Sequence, residues 1–278
     1  GKRYAPGIDG EEGALLQALL FKINGGTKMK SFLKVFRLLV AFIFVWPIFP
    51  MAFIGLLLYC LFSLLHLKKV AAASSRFCYY IVCWWMLTFL GGSIHVEGRE
   101  NLPPEEEGVI YAPNHNSVCD VPLFYYAVRR FPAMMAKAEL FKVPLIHGLL
   151  LSLNCIKIGR KSAHGVVEAI RKSEERIKEG GSIVIFPEGT RSKTGEIAPF
   201  KSGAFKVAER TGCRIVPVVI KNDRYLLESA GSFRIVPLYI KILPPIDVSS
   251  LSPEDRKNLG PIVEKEVRAE WEKYPAFK

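Results

Sequence analysis

The rhythm of apolar and polar positions along this chain changes character near residue 96. Before that point long stretches carry no charge, and from Leu38 to Leu67 not one residue is acidic or basic. As helix, at ~1.5 Å per residue, that run would reach about 45 Å, more than the ~30 Å hydrocarbon layer of a bilayer. Pro47, Pro50 and Gly55 lie near its middle. Lys28, Lys30, Lys34 and Arg37 precede it, and Lys68, Lys69 and Arg76 follow it. Basic clusters at both ends oppose a single crossing, and central helix breakers allow a dip into one leaflet and a return. A second uncharged run, Phe77 to Ile94, offers Tyr79, Tyr80, Trp84 and Trp85 to a membrane interface. One-leaflet insertion and two spanning helices both remain open.

Beyond residue 96 the apolar runs shorten. Gly108–Ala112, Ala133–Ala136, the stretch ending at Arg160, Ser182–Phe186, Arg214–Ile220 and Phe233–Leu243 read as buried strands. Helical spacing falls between them. It begins after Asp120 and recurs over Glu139–Leu153, broken at Pro144. It returns over Ser162–Lys178, with Val166, Val167, Ile170 and Ile177 as the buried stripe, over 203–211, and as a polar closing helix over Pro253–Lys273. Strand, helix and strand in succession predict an α/β domain over 97–278 with a mostly parallel central sheet flanked by helices. A helical membrane-anchoring segment, 30–96, precedes it. Residues 1–29 are read as a leader outside the fold, with Met29 available as a natural start, and no cleavable signal is evident.

Two strand ends deliver polar residues. Pro113 and Asn114 stop the first strand, which places His115 at its carboxyl end, where open α/β sheets keep ligands. Asp120 follows five residues later at a helix start and can fold back onto the imidazole. An imidazole near neutral pH takes a proton from an alcohol, and a carboxylate on its other nitrogen fixes the tautomer. No G-x-S-x-G elbow supplies a nucleophile and Cys119 reads as a small buried residue, so the attacking hydroxyl belongs to a substrate. A helix-capping Asp120 beside a core His115 is the plainer alternative. The second loop, Pro187-Glu188-Gly189-Thr190-Arg191-Ser192, combines a glycine for close approach, a hydroxyl and a guanidinium fork that matches phosphate oxygens. Its plainer alternative is a surface turn in which Glu188 pairs with Arg191. Lys137, after the second strand, reads either as an anion or carbonyl contact or as a solvated lysine.

His115-x-x-x-x-Asp120 followed by Glu188-Gly189-Thr190-Arg191 resembles the glycerolipid acyltransferase family, most closely its lysophosphatidic acid acyltransferases. Cys155–Arg160, ending in an arginine, and Ile215–Val219, with Pro217, resemble two weaker family blocks; Gly159 departs from the polar residue many relatives carry there. The resemblance covers about residues 95–245. It implies that His115 and Asp120 are catalytic, that Arg160, Glu188, Gly189 and Arg191 hold the acceptor's glycerol phosphate, and that Pro217 is structural. It further implies acyl transfer from an acyl-coenzyme A or acyl carrier protein thioester to lysophosphatidic acid, giving phosphatidic acid, with no bound cofactor.

Charge fits those partners. Lys+Arg 38 against Asp+Glu 26 gives +12, suited to an anionic bilayer and phosphate-bearing substrates. No nucleic-acid module accompanies it. The six cysteines are scattered without disulfide or metal-ligand spacing. The expected location is a membrane, on its cytoplasmic face. The alternatives are transfer to glycerol 3-phosphate or another lysolipid, a lipid-ester hydrolase, and a catalytically silent lipid-binding protein.

Overall fold

Two helices, joined by a short turn, open the described part of the chain. The computed structural model describes residues 46, 48–143, 147, 150–151, 153–159, 163–228 and 235–277. The leader 1–29, the basic flank before Leu38 and Arg160 lie outside the described residues. Helices α1 (Ile48–Leu64) and α2 (Lys68–Phe89) form a hairpin. Gly55 lets them approach, since a Cβ there would come within 2.9 Å of the Cys78 Cβ.

Strands follow at β1 (Gly92–Glu97), β2 (Ile110–Pro113), β3 (Ala133–Lys137), β4 (Ile156–Ile158), β5 (Ile183–Val184), β6 (Ile215–Lys221) and β7 (Val236–Ile242). They form one sheet in the order β1-β7-β6-β2-β5-β3-β4. All neighbours pair in parallel except β6 with β7. The mostly parallel sheet flanked by helices therefore agrees with the sequence pattern. Helix α3 (Asp120–Val128) and α2 cover one face; α4 (Ala163–Lys178), α5 (Lys206–Thr211) and α8 (Leu259–Trp271) cover the other, and a single-turn α6 (Arg224–Leu227) follows β6. Strand β6 shows why both faces need covering: every residue of Ile-Val-Pro-Val-Val-Ile-Lys is buried. Its Ile215 and Val219 enter one apolar cluster while Val216, Val218 and Ile220 enter the other.

Several expectations shift. On α4, Ala169, Ser173 and Ile177 are buried while Val167 is 62% exposed; 166, 169, 173 and 177 hold the 3.6-residue period, and Val167 falls one position off that face. The closing helix breaks at Asn258 into α7 (Pro253–Lys257) and α8, and α8 buries Leu259, Val263 and Val267. The run Phe77–Ile94, expected at a membrane interface, divides into the end of α2 and the start of β1, so the sheet extends upstream of residue 97. Its two tyrosines serve the protein: Tyr79 meets Tyr125 and Phe131 edge-on, and Tyr80 stacks on Tyr126. Cys83 and Leu87 are buried beneath them.

Among the described residues no helix is long and apolar enough to cross a membrane. The 17 residues of α1 give only about 25 Å of helix. The hairpin nonetheless presents apolar side chains outward: Phe53, Leu57, Leu61 and Leu64 on successive turns of α1, and Val70, Phe77 and Trp84 at seven-residue intervals on α2. Contiguous exposed apolar surface of this kind marks an interaction face.

Candidate active site

The parallel strands β2, β3, β5 and β6 all end at the same edge of the sheet, and each contributes to one cavity there. After β2, Asn114 locks the chain to β6: its Nδ2 donates to the Ile220 carbonyl and its Oδ1 accepts from the Ile220 N–H. That two-way bond aims the next residue, His115, over the edge. His115 Nδ1 lies 2.6 Å from Oδ2 of Asp120, the first residue of α3. The same Oδ2 accepts from the backbone N–H groups of Asn116 and Ser117. Asp120 is fully buried, whereas the His115 side chain is 19% exposed, so the imidazole is no core residue. Its ring stacks on Phe186, with centroids 4.1 Å apart.

The loop after β5 is fastened to this turn from behind. Glu188, 2% exposed, accepts the His115 N–H on one oxygen and the Ala198 N–H on the other. Ser192 N–H in turn donates to the His115 carbonyl. Burial pushes the Glu188 carboxyl above the usual range, partly offset by those two amides. Gly189 adopts φ +75°, a left-handed turn that suits glycine, and lies against the Lys201 ammonium. The turn therefore projects Thr190 and Arg191 outward while Glu188 points in. The simple Glu188–Arg191 pair is not formed; Arg191 Nη1 instead sits 3.6 Å from Oε1 of Glu228.

A cavity of about 490 Å³ results, lined by His115, Asn116, Lys137, Gly189, Thr190, Arg191, Ser192, Lys193, Arg224 and Glu228. It brings together His115, Lys137, Gly189, Thr190 and Arg191 of the sequence-derived set. Asp120 and Glu188 stand behind the wall, and Arg160 lies outside the described residues. The cavity also holds cations that the motifs did not single out. Lys193 lies two residues past the motif, and Arg224 follows the end of β6. Only the sequence position of Arg224 just beyond an apolar strand could have suggested it. Glu228 was equally hidden, because it arrives from a turn rather than a motif. It accepts from Ser117 Oγ and from the Val118 N–H, and so braces the loop that carries the His115–Asp120 pair.

Chemically, the arrangement can serve as a base with its orienter, an imidazole held by a buried carboxylate and facing a polar, largely cationic bowl. With Nδ1–H donated to Asp120, Nε2 is the basic nitrogen. Cys119 is no competing nucleophile: it is fully buried, and burial pushes its thiol up to about 12.

Comparison with known proteins points the same way. Residues 93–221 match the family model described as Acyltransferase. A 1-acyl-sn-glycerol-3-phosphate acyltransferase of Borreliella burgdorferi is 32% identical over 193 residues, covering 69% of this chain and 75% of that protein. One from Saccharomyces cerevisiae is 30% identical over 220 residues, covering 77% and 69% respectively. The crystal structure of the 1-acyl-sn-glycerophosphate (LPA) acyltransferase PlsC from Thermotoga maritima superposes with a TM-score of 0.74 at 28% identity. It covers 88% of this chain and 99% of that one.

Proposed function

Since the chain belongs to the acyltransferase family that contains the 1-acyl-sn-glycerol-3-phosphate acyltransferases, we propose that it transfers a fatty acyl group from a thioester to the free hydroxyl of lysophosphatidic acid. The product is phosphatidic acid. The observation that carries this reading is the 2.6 Å His115–Asp120 contact, with His115 in the wall of a cavity also lined by Lys137, Arg191, Lys193 and Arg224.

The geometry supports the following steps. His115 Nε2 takes the proton of the acceptor hydroxyl as its oxygen attacks the thioester carbonyl. Asp120 holds the ring in the Nδ1–H tautomer and stabilises the imidazolium. The tetrahedral intermediate collapses, the C–S bond breaks, and the thiolate leaves with the proton returned by the imidazolium. No covalent acyl-enzyme forms. The acceptor's phosphate is held by Arg191, with Thr190, Lys137 and the turn at Gly189, and it competes with Glu228 for the Arg191 guanidinium. Arg160 joins that set by family resemblance. Glu188, with both oxygens committed to backbone N–H groups, acts as a brace between the two loops.

Acyl-coenzyme A or acyl carrier protein is the co-substrate. Both acceptor and product carry acyl chains that cost ~0.8 kcal/mol per CH₂ to lift into water, so a membrane-surface location is favoured. The exposed apolar face of the α1–α2 hairpin supplies the anchor, inserting into one leaflet. The basic residues flanking the apolar segment favour the cytoplasmic side.

The test is an acceptor panel. Detergent-solubilised protein is given palmitoyl thioester with oleoyl lysophosphatidic acid, glycerol 3-phosphate or uncharged monoacylglycerol, and products are read by mass spectrometry. Lysophosphatidic acid should be the preferred acceptor, and Arg191→Ala should raise its KM at least tenfold, the loss of a charge-assisted bond worth about 1.5–3 kcal/mol. Equal use of monoacylglycerol would remove the phosphate site.

A further inference from the structure

Behind the His115–Asp120 pair lies a carboxyl that the mechanism above does not use. Asp223 follows β6 by two residues, is fully buried, and among the described residues neither of its oxygens has a well-formed hydrogen bond, the neighbouring Arg224 backbone N–H being the one donor that approaches it. Its side chain is within hydrogen-bonding range of Asp120. Asp120 shows the complementary vacancy: Oδ2 collects His115 Nδ1 and two backbone N–H groups, whereas its buried Oδ1 receives no donor from any other group. Two buried carboxyl groups in contact are not both ionised, because like charges at that separation repel strongly in a low-dielectric interior. The proton belongs on the carboxyl with the weaker set of donors, which is Asp223, because Asp120 Oδ2 already meets three nitrogens.

We propose that the Asp223 carboxyl donates a hydrogen bond to Asp120 Oδ1 and is thereby a positioning residue for the His115 base, a role that rests on His115 acting as that base. The donor holds Asp120 ionised and turned with Oδ2 toward the imidazole. The remaining charged or titratable groups around the pair agree with this assignment. Glu188 on the loop after β5 and Glu228 on the turn after Arg224 disfavour a second negative charge there, while the buried Cys119 thiol at the start of α3 stays neutral beside the two carboxyls. The Arg224 backbone N–H offers a partial offset to Asp223. Burial raises both carboxyls, and the Asp223 bond offsets part of the rise at Asp120.

Removing the donor should therefore raise Asp120 and delay the onset of activity to higher pH. Asp223→Ala is expected to lower kcat at neutral pH at least tenfold with KM for lysophosphatidic acid little changed, and to move the acid limb of the kcat/KM profile upward by about one pH unit. Asp223→Asn, whose amide still donates, is expected to recover most of the lost kcat and to return the limb toward wild type. A residue that merely filled space would change the melting temperature without moving the limb. An unmoved limb in Asp223→Ala, or Asp223→Asn as impaired as Asp223→Ala, overturns the proposal.

A second measurement reads Asp223 without activity. A carboxyl raised in the folded state stabilises fully below its unfolded pKa, near ~4, and that stability is lost as pH rises to the folded value. Across that window the wild-type unfolding constant should grow relative to that of Asp223→Asn, by up to tenfold per pH unit for one proton. Parallel curves would mean that Asp223 is already ionised and would overturn its donor role. The unfolding comparison applies even if Asp223→Ala fails to fold. If the wild type makes no phosphatidic acid while the unfolding curves still diverge, the proposed reaction fails and the buried proton stands.

Discussion

His115→Ala is expected to lower phosphatidic acid formation by about a thousandfold while leaving the fold and the acceptor KM nearly unchanged. General base catalysis alone accounts for roughly 10²–10⁴ in rate, and the site offers no substitute. Lys137, Lys193 and Arg224 line the same cavity as cations, and a protonated cation cannot remove a proton. Glu188 is turned away with both oxygens engaged, and Glu228, the one carboxylate in the lining, is held by Ser117, the Val118 N–H and Arg191. The substitution removes a ring that is 19% exposed and stacked on Phe186, so the stability loss should be modest. Stopped-time product analysis beside a thermal melt separates the two effects. Activity retained within tenfold, with a normal melt, would transfer the base role to another group.

The second large effect concerns the hairpin. Leu57→Glu, Leu61→Glu and Phe77→Glu together are expected to weaken binding to anionic phospholipid vesicles by at least 100-fold. Each of these side chains is more than half exposed. Burying an apolar side chain is worth about 1.5–3 kcal/mol when complete, so ~1 kcal/mol per partly inserted residue is a restrained figure. Three such losses reach about 3 kcal/mol, or roughly two orders of magnitude in partition. All three point away from the hairpin contact at Gly55 and Cys78, so folding should survive. Flotation of the triple variant with vesicles at wild-type levels would assign membrane binding to another part of the chain. Deleting the whole segment 30–96 would be a poorer test. It would also remove Cys83 and Leu87 from the core and β1 from the sheet.

The parallel sheet was legible because buried parallel strands leave continuous apolar runs, and β2, β5 and β6 all sit on such runs. The His115–Asp120 contact was legible because a strand end, a tight turn and a helix start leave few ways to arrange five residues. Other features were not. Strand β1 lay hidden at the end of an apolar stretch, because a helix packed on protein and one packed in lipid have the same composition. The inward Glu188 and outward Arg191 depend on the left-handed turn at Gly189, which spacing does not encode. Asp223, Arg224 and Glu228 meet the first motif only through the 106-residue link between Asn114 and Ile220, a pairing fixed by sheet order and by nothing local.

The measurement that most directly tests direct acyl transfer counts thiol released against phosphatidic acid formed, in one reaction with lysophosphatidic acid and an acyl thioester. Wild-type protein is predicted to give one phosphatidic acid per thiol, with no free fatty acid and no acylated protein. Thiol released with free fatty acid in place of phosphatidic acid would make water the acceptor and contradict the transfer mechanism, and no thiol release at all from folded protein would leave a lipid-binding protein without turnover.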